Sequence, residues 1–556
     1  MTRVAESVST LIARSPLVRR ASPPRAEQLA RRPRPALVQS PPAELPEVVH
    51  ISAECWPFAR TGGLGEAVST LAGHQAGSGA RASVIMPLYR AVRDAVPGLE
   101  QTGPAFDVQL GSRVERVRLL RAPSRLEEAR VFFVEHDSFF DRAGIYGADG
   151  ADYADNALRF GFFCRAALAA MPWIAPSATV LHAHDWHAAL VPVLLRTEFS
   201  RDRRLARLAA VLSVHNAAFQ GHSPPTVMEG LGLARELFDW RALEWYGRVN
   251  LLKGGIALAD AVVTVSPTYG SELRTPDGGF GLHETFAAAS DRLTGILNGI
   301  DVAVWDPGTD PHIQATFSAL DLRGKRRCKE ALQRANALPV RAGIPVVAMC
   351  ARLTEQKGID LVLEAMPNAV GAQFIVVGEG EARYTSALAR LAERFPDRIA
   401  TDFTFRDATE HRLLAGADIV LLPSRFEPCG LTQMRAQRYG AVPVARRVGG
   451  LADTIRDGVT GFLFDDYTPE ALAGALSRTL QAYEDADVWN RFVRAAMTLD
   501  FGWERSVRRY WDVYRDALER RAGTHGVSRS PIAGTLGARR QSNHSIHRRL
   551  STITHP

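Results

Sequence analysis

Two cations, Arg352 and Lys357, stand five residues apart in Arg352-Leu353-Thr354-Glu355-Gln356-Lys357-Gly358, just after the apolar run 345–350. A planar Arg fork and a Lys point charge together suit a diphosphate, and a solvated basic pair fits the same pattern. A second apolar run, 419–422, leads into Pro423-Ser424-Arg425-Phe426-Glu427-Pro428-Cys429-Gly430-Leu431-Thr432-Gln433. Here Glu427 could accept from sugar hydroxyls while Gly430-Leu431-Thr432 opens a helix whose free N–H groups favour an anion. The plainer reading of Glu427 is a partner for the helix dipole.

In the first half, the run 48–52 passes into Arg60-Thr61-Gly62-Gly63-Leu64-Gly65-Glu66. Adjacent glycines let backbone N–H groups approach a phosphate or sugar oxygen, and equally make a tight turn. Neither nucleotide fingerprint fits: no Gly-Lys-Ser/Thr follows, and the third glycine of G-x-G-x-x-G would fall at Val68. His182-Ala183-His184-Asp185-Trp186-His187 ends another run; on an extended backbone His182 and His184 share a face and Asp185 takes the other. A metal would need further ligands, so a polar cluster that orients substrate is the favoured reading, beside a plain structural role. His215-Asn216 with Gln220-Gly221 follows the run 209–214 as a binding loop, and Asn298-Gly299-Ile300-Asp301 reads as a turn. Gly378-Glu379-Gly380-Glu381 is a further glycine-containing strand exit.

Positioning these residues requires strands that end where the motifs begin. Candidate strands are 48–52, 82–86, 131–135, 179–182, 209–214, 261–265 and 295–297, then 345–350, 373–377, 398–403, 419–422, 442–445 and 461–464. Helical patterns of 10–20 residues separate them, which signals βαβ units and parallel sheets. The Pro/Gly/Asp-rich stretch 298–310 reads as a linker. The expected fold is α/β: two Rossmann-like doubly wound domains with ligands in the cleft outside the carboxyl ends of the strands. The expected division is an extension at 1–46, domains at 47–305 and 306–500, a helix at 501–521 packing back on the first domain, and a tail at 522–556.

Composition bounds the alternatives. The 556 residues are 46% apolar and 23% charged, as in globular proteins, and exceed one domain. No uninterrupted apolar stretch reaches the ~18–20 residues of a membrane span, so no membrane partner is expected. The net charge of +7 sits in the ends: 1–46 carries +5 and 520–556 carries +7, which leaves 47–519 at −5. A nucleic-acid partner would need that charge on a folded face, so none is expected. Five cysteines without a C-x-x-C pair argue against a disulfide framework or structural zinc. The Arg/Pro/Ser-rich 1–46 reads as a disordered extension or an organelle address, so the expected compartment is the cytoplasm, or a plastid if this segment is a transit peptide.

Taken together, the residues resemble the bacterial and plant glycogen/starch synthases, which use ADP-glucose and have the GT-B fold. The resemblance runs from about 48 to 514. It rests on Thr61-Gly62-Gly63-Leu64-Gly65, Asp155-Asn156 with Arg159-Phe160, His182 to His187, His215-Asn216, Val265-Ser266-Pro267-Thr268-Tyr269, 297–301, 352–358, 423–433 and Gly449-Gly450-Leu451-Ala452-Asp453-Thr454. It implies transfer of glucose from ADP-glucose to the non-reducing 4-OH of an α-1,4-glucan such as glycogen, with retention and without a metal or other cofactor. UDP-glucose as donor is the alternative, and an inactive glucan-binding relative the remoter one. Asp185, His215, Arg352, Lys357 and Glu427 match the family's catalytic positions. The implied donor-binding set is Arg60, Gly62, Gly63, Glu66, Asn298, Gly378, Phe405, Cys429, Gly430, Leu431 and Thr432. Three of these depart from the family's residue: Arg60 stands for Lys, Glu66 for Asp, and Phe405 for a Tyr that stacks on adenine.

Overall fold

The computed structural model describes residues 45–123, 128–148, 151–404 and 406–525. Phe405 and all but the last two residues of the expected 1–46 extension lie outside the described residues, as does the chain beyond 525.

The apolar runs of the first half form the parallel part of one sheet. Its order is Leu293–Gly295, Ala261–Thr264, Ala209–Val214, Val180–His184, Val48–Ile51, Ala82–Pro87 and Arg130–Glu135, with the antiparallel strands Arg113–Arg121 and Glu100–Gln101 at the far edge. The interior strands Val48–Ile51, Val180–His184 and Ala209–Val214 are buried on both faces, which is why they read as Val/Ile/Leu/Ala segments interrupted only by His50, His182, His184 and Ser213. The second half forms a wholly parallel sheet: Ile399–Asp402, Gln373–Val377, Val346–Cys350, Ile419–Leu422, Val442–Arg446 and Phe462–Phe464. In both, the strand order reverses near the centre, and the sequence motifs leave the carboxyl ends there.

One face of the first sheet is closed by the last described helix, Glu504–His525. Its Trp503-flanked apolar side, with Val507, Tyr510, Val513, Tyr514 and Ala517, meets Val48, Val180, Ala209, Val211 and Val263 of the strands. The chain therefore crosses back after building the second lobe. This helix runs past the sequence-expected end at 521, where Arg521 Nε donates to the Ala206 carbonyl at 2.7 Å. On the other face, helix Asn156–Ile174 is apolar and long enough to cross a membrane, but it is a core helix. Its two arginines are buried with partners: Arg159 donates to Asn156 Oδ1 at 2.6 Å, and Arg165 pairs with Glu198.

Candidate active site

The second lobe contributes two adjoining loops. Gly358 has φ of 71°, and a Cβ there would lie 2.1 Å from the Pro423 carbonyl oxygen, so only glycine lets the 352–358 turn lie against the 423–433 loop. That contact brings Lys357 Nζ within 2.5 Å of Glu427 Oε2, to which Ser424 Oγ also donates at 3.0 Å. The sequence reading gave Lys357 to a diphosphate and Glu427 to sugar hydroxyls; in the structure the two neutralise one another. Arg352 is exposed and, among the described residues, enters no ion pair. The Lys357 charge is thus already balanced, and Arg352 is the cation left open to an incoming anion.

The glycines of this lobe divide by cause. Gly378 has φ of 149°, and a Cβ would fall 1.9 Å from the Ala351 carbonyl oxygen, so packing between strand ends accounts for it. Gly430 has φ of 69° and abuts Gln433, whose Nε2 donates to the Cys429 and Gly430 carbonyls at 3.0 and 2.8 Å. Leu431 and Thr432, at the start of helix Thr432–Arg438, remain half-buried. Cys429 is buried, and burial pushes its thiol up to about 12, which excludes a thiolate. It contacts the backbone of Asn298, whose buried Oδ1 finds no partner among the described residues.

In the first lobe, Gly62 and Gly63 lead helix Gly63–Gly77, and a Cβ on either would touch nothing within 4 Å. Packing does not require these glycines, and their backbone is open to a close approach. Glu54, buried beneath the loop, fixes it: its carboxylate accepts from Thr61 N at 2.8 Å, Thr61 Oγ1 at 2.7 Å and the Tyr146 hydroxyl at 2.6 Å. Arg60 stacks 4.4 Å over Trp56 and pairs with Asp407 of the second lobe at 2.7 Å.

Glu66 is not an open sugar-binding carboxylate. It forms an ion pair across the lobes with Arg435 at 2.5 and 2.6 Å, and Arg435 also pairs with Glu410 and lies 4.3 Å over Trp305.

Asp185 departs from the extended backbone expected of it. Strand Val180–His184 stops short of it, its φ is 56°, a left-handed conformation that Asp tolerates, and a short helix begins there. Its buried Oδ1 accepts from His215 N at 2.6 Å and so anchors the His215-Asn216 loop. Burial pushes Asp185 up to about 7, against the lowering effect of those backbone N–H groups. His182 and His184 do share a face, joined by His50 of the neighbouring strand, with ligand atoms of all three within 4.8 Å of one another. All six ring nitrogens are already hydrogen-bonded, to Gln75, Tyr514, Ser213, His215 and each other, so no set of lone pairs converges on a cation.

Several contacts close the lobes onto one another beside these groups. Ser266 Oγ donates to the Pro428 carbonyl at 2.7 Å, Thr268 N and Oγ1 donate to Asp453 at 2.9 and 2.7 Å, and Gly449 N donates to Glu272 Oε1 at 2.9 Å. Phe280 meets Phe426 edge-on at 4.8 Å. The buried Tyr269, whose hydroxyl accepts from Ala217 N at 3.0 Å, feels the charges of both Asp185 and Glu427, so carboxylates of both lobes act on this one side chain.

Residues 47–288 match the family described as Starch synthase catalytic domain, and residues 334–495 match Glycosyl transferases group 1. The glycogen synthase of Anaeromyxobacter dehalogenans strain 2CP-1 is 44% identical over 479 residues, 84% of this chain and 98% of that one. The chain belongs to the glycogen synthase family. The glycogen synthase of Thermodesulfovibrio yellowstonii is 38% identical over 85% of this chain and 99% of its own. Among solved structures, the catalytic domain of starch synthase IV from Arabidopsis thaliana, bound to ADP and acarbose, aligns with a TM-score of 0.78 at 31% identity over 86% of this chain and all of that one. The fold is accordingly GT-B.

Sequence reasoning passed over Glu54, His50, Gln75, Arg435 and Tyr514. A signal existed for two: a histidine inside the apolar strand Val48–Ile51, and a glutamate just beyond it, are polar groups where burial is complete. Arg435 and Tyr514 carry no local signal, because their partners come from other parts of the chain.

Proposed function

We propose that this protein elongates an α-1,4-glucan such as glycogen by transferring glucose from ADP-glucose to the non-reducing 4-OH, with retention at the anomeric carbon. The observation that carries the reading is the Lys357–Glu427 pair at the strand exits of the second lobe, whose loop is set against the first lobe by the hydrogen bond from Ser266 Oγ to the Pro428 carbonyl. The ADP and acarbose held by the related plant starch synthase support a nucleotide donor and a glucan acceptor.

In this reading the bond from the anomeric carbon to the diphosphate oxygen breaks as the bond to the acceptor O4 forms on the same face. The O4 proton passes to the departing phosphate oxygen. Arg352, Lys357 and the helix start at Gly430-Leu431-Thr432 neutralise the growing charge, each such preorganised donor being worth about 3–4 kcal/mol. Donor hydroxyls draw Glu427 toward the sugar and release Lys357 to the phosphates. His215 and Asn298 line the glucosyl pocket, and the unpartnered Asn298 Oδ1 supplies an acceptor there. Asp185 lies on the acceptor side. With protein cations in this role the reaction needs no divalent metal.

The deciding assay measures labelled glucose incorporation into glycogen from ADP-glucose and from UDP-glucose in parallel, with and without EDTA. Preference for ADP-glucose, insensitive to EDTA, is expected. Preference for UDP-glucose overturns the donor, loss of rate in EDTA overturns metal independence, and no incorporation from either donor leaves a glucan-binding relative.

A further inference from the structure

A line of buried side chains runs from the covered face of the first sheet to the cleft. Gln75, near the end of helix Gly63–Gly77, places Oε1 2.8 Å from His50 Nε2 and Nε2 3.0 Å from the Tyr514 hydroxyl. His50 Nδ1 lies 3.0 Å from His184 Nε2, and His184 Nδ1 lies 3.0 Å from His215 Nε2. Gln75, His50 and His184 are fully buried, and His215 is half-buried at the end of the line. Burial lowers His50 and His215 to about 4 and His184 well below its ordinary value, so all three rings are neutral near pH 7.

A neutral imidazole has one N–H and one lone pair. The line must therefore be ordered in one sense throughout, since any reversal would set two N–H groups or two lone pairs face to face at 3.0 Å. The primary amide at its far end reads out that sense, because its oxygen only accepts and its nitrogen only donates. With Oε1 toward His50, His50 must carry its proton on Nε2 and accept at Nδ1 from His184. His184 in turn accepts at Nδ1 from His215 Nε2–H. His215 is left with a bare Nδ1, an acceptor for a hydroxyl. The Tyr514 hydroxyl, brought back by the last helix, accepts from Gln75 Nε2 and can give its own proton to His182 Nδ1 at 2.8 Å, a path that matches this orientation of the amide.

We propose that Gln75 is a remote positioning residue that, through His50 and His184, fixes His215 in the tautomer whose Nδ1 accepts a hydrogen bond from a substrate hydroxyl. The tautomer assignment is independent of the reaction; the statement that it serves turnover rests on the glucosyl-transfer reading above.

The test is the side-chain nitrogen spectrum of [15N]histidine-labelled full-length protein, with His215 assigned by its loss in His215→Asn, alongside steady-state kinetics. In the wild type, His215 should show a protonated Nε2 and an unprotonated Nδ1. Gln75→Met removes the acceptor for His50 Nε2–H; a buried N–H without a partner costs more than a lone pair without one, so the line should invert and move the His215 proton to Nδ1. kcat should then fall about tenfold, the loss of one productive hydrogen bond, with the donor KM little changed. Tyr514→Phe, a milder change, frees the amide to turn and should populate both His215 tautomers. A wild-type His215 protonated on Nδ1, or a tautomer unchanged in both variants, overturns the proposal. An inverted tautomer with unchanged kcat overturns its role in turnover while leaving the glucosyltransferase reading intact; a wild type inactive with every nucleotide sugar removes that reading but not the tautomer result.

Discussion

Glu66 and Arg435, from the first helix of one lobe and a helix of the other, form an ion pair with both carboxylate oxygens at 2.5 and 2.6 Å from one guanidinium nitrogen. The pair is mostly buried, and the same arginine pairs with Glu410 and covers Trp305. A side chain that the family resemblance placed at the donor thus bridges the two lobes in this structure.

Removing the two partners should have unequal effects. Glu66→Gln leaves Arg435 paired with Glu410, whereas Arg435→Met leaves two buried carboxylates without a counter-charge, a change that typically costs about 3–5 kcal/mol. Thermal unfolding should show a much larger loss for Arg435→Met. Equal losses would mean that the ion pair does not couple the lobes.

Lys357→Ala should lower kcat/KM by two to three orders of magnitude, consistent with about 3–4 kcal/mol for a preorganised charge at a leaving group. It also leaves Glu427, 8% exposed, with Ser424 as its remaining side-chain partner. Lys357→Met with Glu427→Gln should restore stability but not rate. Near-normal kcat/KM in Lys357→Ala would remove Lys357 from the diphosphate site.

Asp185→Asn separates charge from scaffold. An amide oxygen keeps the 2.6 Å bond from His215 N, so the loop should hold and unfolding should shift by less than about 1 kcal/mol. If the charge serves transfer, kcat falls tenfold or more; full activity would take Asp185 off the catalytic list.

Stability should fall steeply as pH drops from about 6.5 to 4. His50 and His215 are lowered to about 4, His187 to about 3, and His182 and His184 well below 6.5, each by burial. In that window the unfolded chain binds protons that the folded chain refuses, so stability rises with pH by about 1.4 kcal/mol per unit for each such histidine. Asp185 acts in the opposite sense: its folded value near 7 lies above the ordinary 3.8, so between these the folded state holds the extra proton, and its contribution is lost as pH rises through 7. Urea midpoints across pH 4–7 should show a net slope of several protons; a flat profile would mean that the histidines are not held neutral.

The strands most legible in the sequence were those buried on both faces. Residues 209–214, 373–377 and 419–422 show no polar side chain but Ser213 and Gln373, and the structure places strands at those positions. The strand Leu293–Gly295 begins two residues before the expected 295–297, because only half-burial marks it. The edge hairpin Phe106–Leu110 with Arg113–Arg121 was not read at all. Apart from the exposed Val114, its outer positions are Arg, Asp, Glu and Gln, polar and charged groups that keep an exposed edge from pairing with another chain and that resemble a loop in the sequence.

The sequence by itself determined the local geometry of the strand exits: the glycine turns at 358 and 430, and the order in which the motifs leave the two sheets. These depend on a few neighbouring residues, whose backbone preferences act wherever the segment sits. Only the tertiary structure decided the pairings: Lys357 with Glu427 across 70 positions, Glu66 with Arg435 across 369, and Gln75 with Tyr514 across 439. Those follow from how two sheets dock and where the last helix returns. Such docking sums many weak burial contacts, and no short stretch of the chain records it.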